Sequence, residues 1–217
     1  MNKISSFVKP HNINKSTVRL SYIDQFKHLI QDGDIYEFGV YSGISIHNIL
    51  QKYREYGFKA NVWGFDSFEG LPQETKEPVA FPVWSKGEFS SCEYLDVNNP
   101  TEASEIIKKN IINDFSEYQV EMIIGFYEES LKRAYNENMK PASWLDIDVD
   151  LYSSTIEALE FMITNKLLVT GTLVYFDDWK GISFGEGRAY TEICNKYEIK
   201  MEKLIGDGEL LFRVTSG

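Results

Sequence analysis

Apolar and polar positions are organised along the chain in blocks whose period switches repeatedly between helix and strand. Residues 16–31 place Val18, Ile23, Phe26 and Ile30 at roughly helical spacing, with Gly33 as a stop. A compact apolar run, Ile35 to Val40, leads through Gly39 and Gly43 into a periodic segment from Ile44 to Tyr53 that carries Ile46, Ile49 and Leu50. Strand, tight turn, helix is the economical reading. The unit recurs, with strands predicted at Ala60 to Phe65, Gln119 to Ile124, Ser143 to Asp148 and Thr172 to Phe176. Helices are predicted at 101–116, at Glu128 to Tyr135, from Ser154 onward, and from Gly185 and Gly187 through Ile193. Ser154 with Glu157 fits a capping box, and Ile156, Leu159 and Ile163 give that helix a buried face. Two final runs, Glu198 to Ile205 and Glu209 to Val214, flank GlyAspGly at 206–208 and predict a β-hairpin.

This alternation predicts an α/β fold: a mostly parallel sheet with helices on both faces and one antiparallel strand, built as a single domain over residues 1–217 with an N-terminal helical extension at 1–33. Residues 73–100 stand apart. They contain Pro78, Pro82, Gly87 and Pro100 with little periodicity, too long for a connector, so they are expected to form a functional loop or lid.

Composition changes this picture in one respect. The 217 residues are 43% hydrophobic and 25% charged, which suits a folded domain, yet the net charge is -11. Residues 1–60 carry eight Lys and Arg against five Asp and Glu, whereas residues 61–217 carry 14 against 28. Such a field disfavours nucleic acid as a partner. Cys92 and Cys194 fit neither a disulfide framework nor a zinc motif, and nowhere are there 18 uninterrupted apolar residues, so a cytoplasmic protein without a membrane span is expected. The Val18 to Ile30 face could contribute to a homo-oligomer interface.

Ligands of parallel sheets collect at the carboxyl ends of the strands, near the point where strand order reverses. Gly39 and Gly43, in GluPheGlyValTyrSerGly, could permit close approach of a cofactor to the backbone, with Glu37 organising the turn or contacting the cofactor indirectly. The spacing is neither the full G-x-G-x-x-G nor a Walker A loop. Asp66 ends the next strand, where a carboxylate can accept hydrogen bonds from both ribose hydroxyls of a nucleoside cofactor. The densest constellation is Asp146, Asp148 and Asp150, followed by Asp177 and Asp178 at the end of the next strand. Asp148 can meet that pair across a short gap, giving three oxygen ligands for Mg²⁺, Mn²⁺ or Ca²⁺, while Asp150 can instead shape the following turn. His11, His28 and His47 have no metal spacing, and neither the serines nor the cysteines have a recognisable nucleophile setting.

Together the blocks IleTyrGluPheGlyValTyrSerGly at 35–43, ValTrpGlyPheAspSerPheGluGlyLeuPro at 62–72, AspIleAspValAspLeuTyrSerSerThr at 146–155 and ValTyrPheAspAspTrp at 174–179 closely resemble the macrocin O-methyltransferases, the TylF-like class I S-adenosylmethionine-dependent family. The resemblance runs from about residue 20 to residue 198. It implies a Rossmann-like, seven-stranded sheet with S-adenosylmethionine bound beside the first two strands. By resemblance, Gly39 and Gly43 match the cofactor loop, Asp66 the ribose-binding acid and Ser67 its polar neighbour. Asp148, Asp177 and Asp178 match the divalent-metal aspartates, Mg²⁺ being favoured, and Asp148 also matches the residue that accepts the substrate proton. TrpSerLysGlyGluPheSer at 84–90 resembles a loop that helps cover the site.

The sequence departs from the family pattern at Glu129 for the usual aspartate, at Ser130 for threonine, at ThrGlyThr 170–172 for a GlyGly pair, and at Val149 for the central glycine of AspGlyAsp. The implied function is metal-assisted O-methylation of a small hydroxylated, carbohydrate-containing acceptor. A catechol-like acceptor suits the same geometry, and an N-methyltransferase leaves the metal with less purpose. A glycosyltransferase reading rests only on AspXAsp at 148–150, and a non-catalytic nucleoside-binding module is a further alternative.

Overall fold

The computed structural model describes residues 10–79 and 81–217, with side chains from Thr17 onward; residues 1–9 of the expected N-terminal extension lie outside the described residues. The chain opens with helix α1 (Pro10–Phe26), closed by a 3-10 turn at Lys27–Leu29. The strands that follow are β1 (Asp34–Phe38), β2 (Asn61–Asp66), β3 (Gln119–Ile124), β4 (Ala142–Ile147), β5 (Leu173–Phe176), β6 (Lys200–Gly206) and β7 (Leu210–Ser216). Between them run α2 (Ile44–Tyr56), α3 (Ser91–Leu95), α4 (Pro100–Asp114), α5 (Tyr127–Ala134), α6 (Tyr152–Thr164) and α7 (Gly185–Tyr197).

They form one seven-stranded sheet in the order β3-β2-β1-β4-β5-β7-β6. The β1, β2, β3, β4 and β5 pairings are parallel, and β7 runs antiparallel to both β5 and β6. The Rossmann-like α/β reading therefore holds, including the antiparallel strand. Central strands β1, β4 and β5 are buried along their whole length, which is why they read as unbroken apolar runs. Edge strand β6 exposes Lys200, Glu202 and Lys203, charges that discourage pairing with another chain.

Strand alternation sends side chains to two cores. Tyr36, Phe38, Leu145, Ile147 and Phe176 meet Leu159 and Phe161 of α6 and Ile193 of α7 on one face. Ile35, Trp144 and Tyr175 meet Ile23 of α1, Ile46 and Leu50 of α2 and Ile107 of α4 on the other. The α1 face offered by the sequence for an interface is largely spent inside the chain: Tyr22 and Ile23 are buried there, with Val18, Phe26 and Ile30 packed alongside. Among the described residues, no helix is long and apolar enough to cross a membrane.

Two expectations need correction. The Ser154 capping box does not form, because α6 begins two residues earlier with Leu151 at the cap, so Ser154 falls in its buried first turn. Its cap comes from elsewhere: Glu74 Oε2 accepts from Ser153 N at 2.9 Å. The 73–100 segment is also less irregular than expected, holding a 3-10 turn at Pro82–Trp84 and α3, while Pro100 opens α4. Asn99 caps that helix by accepting from Glu102 N, and a proline costs nothing at a helix's first position. The departures at 149 and 170–172 are absorbed locally. The positive φ of the AspValAsp turn falls on Asp150 (+61°), so β-branched Val149 stays unstrained in the core, and Gly171 (φ +97°) supplies the one left-handed residue the other turn requires.

Candidate functional site

Chain order reverses at β1, whose neighbours are β2 on one side and β4 on the other. At the carboxyl ends of these strands lies an open cavity of about 1110 Å³. The turn after β1 and the start of α2 line it through Gly39, Val40, Tyr41, Ser42 and Ser45, together with Asp66 and Ser67 after β2 and with Asp148, Asp150 and Asp178.

Asp66 ties two turns together. Its Oδ2 accepts from Tyr41 N at 2.8 Å and its Oδ1 from Phe68 N at 2.6 Å, and both donors are non-glycine residues held in the left-handed region. Burial raises the Asp66 carboxyl above its usual range, against the lowering pull of these N–H groups. Ser67 donates from Oγ to Gly70 O at 2.8 Å, so it shapes the turn as well as lining the cavity.

Gly39 (φ +93°) is needed for more than cofactor access. A Cβ there would stand 1.8 Å from the Asp148 carbonyl oxygen, because β1 and β4 approach closely where Asp148 N donates to Phe38 O at 2.9 Å. Gly43 (φ +74°) sits at the N-terminus of α2 and faces Ile107, so it sets the turn without lining the large cavity. Glu37 is fully buried: one oxygen accepts from Ser45 Oγ, and Oε2 has no hydrogen-bond partner among the described residues. Burial pushes its carboxyl well above the usual carboxylate range, and its register partner Asp146 on β4 pushes the same way.

The acidic constellation divides into two sets. Asp148, Asp177 and Asp178 each offer an oxygen within 4.8 Å of the others, three hard donors of the kind that suits Mg²⁺, Mn²⁺ or Ca²⁺. Asp146 is outside this group. It points to the α1 face, where Arg19 Nε donates to its Oδ2 at 2.7 Å and Arg19 Nη2 to its Oδ1 at 2.9 Å. That short bidentate fork is the geometry of an ion pair. Nη2 also reaches Asp148 Oδ2 and Asp177 Oδ1, each at 3.4 Å. Although burial opposes it, Asp146, then Tyr175, Asp177 and Asp148 raise the Arg19 pKa, so the guanidinium stays charged.

Three further contributors escaped the sequence reading. Arg19 shares a stripe of α1 with Ile23 and Phe26, so a cation on an apolar helical face was the available signal. Glu186 is fully buried, accepts from Asp178 N at 3.1 Å, and is raised far above the usual range by burial, then by Asp178 and Asp177. Glu77 accepts from Gly185 N at 2.7 Å and from Arg188 at 3.1 Å, capping α7 as Glu74 caps α6. Nothing in linear spacing announces those two caps. They pin the segment after β2 across the cavity, whose outer wall is Phe81, Val83, Trp84 and Phe89, with Phe126 opposite.

This architecture has close counterparts. A calicheamicin methyltransferase is 23% identical, with a TM-score of 0.72 over 98% of this chain and 83% of that one. The O-methyltransferase NovP is 21% identical, with a TM-score of 0.68 over 94% and 81%. A second structure of that calicheamicin enzyme, its apo form, named a TDP-rhamnose 3'-O-methyltransferase, is 20% identical, with a TM-score of 0.62 over 98% and 84%. Comparison with curated proteins gave no match. The sequence itself decides the family: residues 21–202, from α1 into β6, match Macrocin-O-methyltransferase (TylF). A cavity at the switch point of such a sheet, walled by a glycine turn and a strand-end acid, is thus that of an S-adenosylmethionine-dependent O-methyltransferase, and the chain belongs to the macrocin O-methyltransferase (TylF) family.

Proposed function

We propose that this enzyme methylates a hydroxyl of a small carbohydrate-containing metabolite with the help of a divalent cation, Mg²⁺ by preference. The observation that carries the reading is the convergence of Asp148, Asp177 and Asp178, of which Asp148 and Asp178 line the same cavity as the glycine turn and Asp66 while Asp177 lies buried behind them. Two of the similar solved structures are of one enzyme, CalS11 of calicheamicin biosynthesis, named a TDP-rhamnose 3'-O-methyltransferase, which supports a sugar hydroxyl.

In this reading the backbone at Gly39 and the carboxylate of Asp66 hold the nucleoside cofactor, Ser67 keeps the second turn in shape, and Gly43 and Glu37 set the first. S-adenosylmethionine supplies an activated methyl group, and a divalent cation supplies charge that acidifies and orients neighbouring hydroxyls. Asp148, Asp177 and Asp178 would hold the cation. Asp148, half-buried and facing the cavity, accepts the proton of the reacting hydroxyl. The Phe81 to Phe89 wall offers the acceptor an apolar surface that orients it, so positioning contributes to the rate enhancement. The same aromatic wall would also receive an aryl ring, which is the observation favouring a catechol-like acceptor.

The test measures S-adenosylhomocysteine release with a panel of glycosides bearing adjacent hydroxyls and a parallel panel of catechols, with and without chelator. Turnover of glycosides, lost with chelator and restored by Mg²⁺, supports the proposal. Chelator-insensitive turnover removes the metal from it, and turnover of catechols alone replaces the acceptor.

A further inference from the structure

Arg19 takes no part in the chemistry just described, yet it occupies the centre of the acidic constellation. It is 3% exposed on a helix that precedes the first strand, and its plane lies over the Tyr175 ring at 4.5 Å. Tyr175 in turn donates to Asp177 Oδ1 at 3.0 Å. One guanidinium therefore contacts side chains of three acids and an aromatic ring drawn from β4, β5 and the turns that follow them.

We propose that Arg19 is a positioning residue of the metal centre: anchored on Asp146, it orients Asp148 and Asp177 to receive a divalent cation. The inference rests on the metal reading of that site. Asp148 and Asp177 lie one residue beyond the ends of β4 and β5, so strand pairing alone does not fix their side chains. The division of labour follows from the distances. The short bonds, 2.7 and 2.9 Å, go to Asp146, which is outside the group of converging oxygens; the longer ones, both 3.4 Å, go to two members of that group. Asp146 thus immobilises Arg19, with Trp144 Nε1 donating to the same Oδ2 at 3.1 Å. Arginine can only donate, and a carboxylate has two oxygens, so an N–H at one oxygen can orient the group without using both. Outer contacts of this kind orient metal ligands and tune affinity.

Charge arithmetic supports the arrangement. Four carboxylates, Asp146, Asp148, Asp177 and Asp178, face two cations, Arg19 and Lys180, the latter paired with Asp178 at 3.2 Å, so the cluster keeps a net charge of about two negatives to face a dication. The pair Arg19–Asp146 is neutral, so removing both members leaves that balance unchanged while removing the hydrogen bonds to Asp148 and Asp177. Loss of affinity in the double variant then reports geometry and not net charge.

The experiment titrates the full-length protein with Mn²⁺, followed by electron paramagnetic resonance, comparing wild type, Arg19→Gln/Asp146→Asn, Arg19→Lys and Asp178→Asn, with thermal unfolding alongside. Asp178→Asn identifies the ion bound at this site. The double variant is expected to keep its fold and bind Mn²⁺ about 10- to 100-fold more weakly. Arg19→Lys, which keeps the charge and loses the planar fork, should weaken binding in the same direction. Wild-type affinity within about threefold in a folded double variant overturns the proposal and leaves Arg19 as a counter-ion of Asp146. If the double variant does not fold, unchanged affinity in Arg19→Lys overturns it equally. Absence of a wild-type site sensitive to Asp178→Asn overturns the metal reading itself, and this inference with it.

Discussion

Gly39 gives the sharpest handle on how the cofactor turn and the acidic edge depend on each other. In Gly39→Ala the added carbon would meet the Asp148 carbonyl oxygen at 1.8 Å and its carbon at 2.7 Å, both backbone atoms, where real contacts stop near 3.0 Å. Relief requires a displacement of about 1.2 Å between the ends of β1 and β4, straining the bond from Asp148 N to Phe38 O. The backbone conformation at φ +93° adds a penalty of about 1–3 kcal/mol for a non-glycine residue. Overpacking against an unyielding neighbour adds roughly 1–3 kcal/mol. The expected loss is therefore about 2–6 kcal/mol, large against a typical total of about 5–15 kcal/mol.

Gly43→Ala is the control. Its φ of +74° carries similar strain, but the added carbon meets the Ile107 Cγ2 methyl at 2.6 Å, a side chain that can turn away, and Asp148 is not involved. Urea unfolding followed by tryptophan fluorescence should rank Gly39→Ala below Gly43→Ala. Mn²⁺ affinity should fall in Gly39→Ala alone, and a misplacement of about 1 Å is enough to lower turnover of an accepted substrate about 100-fold. Equal stability of the two variants, or undisturbed Mn²⁺ binding in Gly39→Ala, would refute the coupling.

Asp66→Ala removes the acceptor for Tyr41 N and Phe68 N and is expected to weaken S-adenosylmethionine about 10-fold or more by calorimetry, with wild-type affinity rejecting the assignment. Asp148→Asn should impair turnover far more than cofactor affinity; unchanged turnover would remove Asp148 as the proton acceptor. Glu77→Ala uncaps α7 and frees the segment across the cavity, so proteolysis between residues 73 and 90 should accelerate and stability fall by about 1–2 kcal/mol. Burial pushes the Cys194 thiol up to about 11 and also raises Cys92, with Glu69 and Asp66 adding to the latter. Both should react slowly with disulfide reagents at pH 8, and two rapid equivalents in the native protein would contradict that.

The strand and helix order was legible because each central strand is buried on both faces and so must be apolar throughout, and because turns between them need glycine at left-handed positions. Asp66, Asp148, Asp177 and Asp178 were legible for a related reason: a carboxylate at the end of an apolar strand stands out, and all such ends meet at one edge of a parallel sheet. What stayed hidden acts across the sequence. Arg19 pairs with Asp146 over 127 positions, and Glu74 and Glu77 cap helices 79 and 108 positions away. No local period encodes such partners. The false capping box at Ser154 is the same lesson reversed, a correct local pattern overridden because a distant glutamate serves the helix end.

The acidity that composition left unexplained is partly an interior property. Among the described residues, the buried charged side chains are eight carboxyls, Asp34, Glu37, Glu74, Asp146, Asp150, Asp177, Asp178 and Glu186, against one cation, Arg19. Each carboxyl needs compensation, since an isolated buried charge is prohibitively costly. Asp34 finds it in three donors, Asn61 N, Trp63 Nε1 and Lys140 N. Glu74 finds it at Lys76 N and the N-terminus of α6, and Asp146 at Arg19. Burial raises the carboxyls of Glu37 and Glu186 well above the usual range, while Ser45 Oγ donates to the first and Asp178 N to the second. Asp177 and Asp178 receive Tyr175, Arg19 and Lys180, shared donors that leave the edge strongly negative where it meets the cavity. Hydrogen bonds, a helix end and arginine thus compensate Asp34, Glu74 and Asp146. Buried Asp177 and Asp178 converge with half-buried Asp148, and the proposed divalent cation would be the counter-charge of that trio.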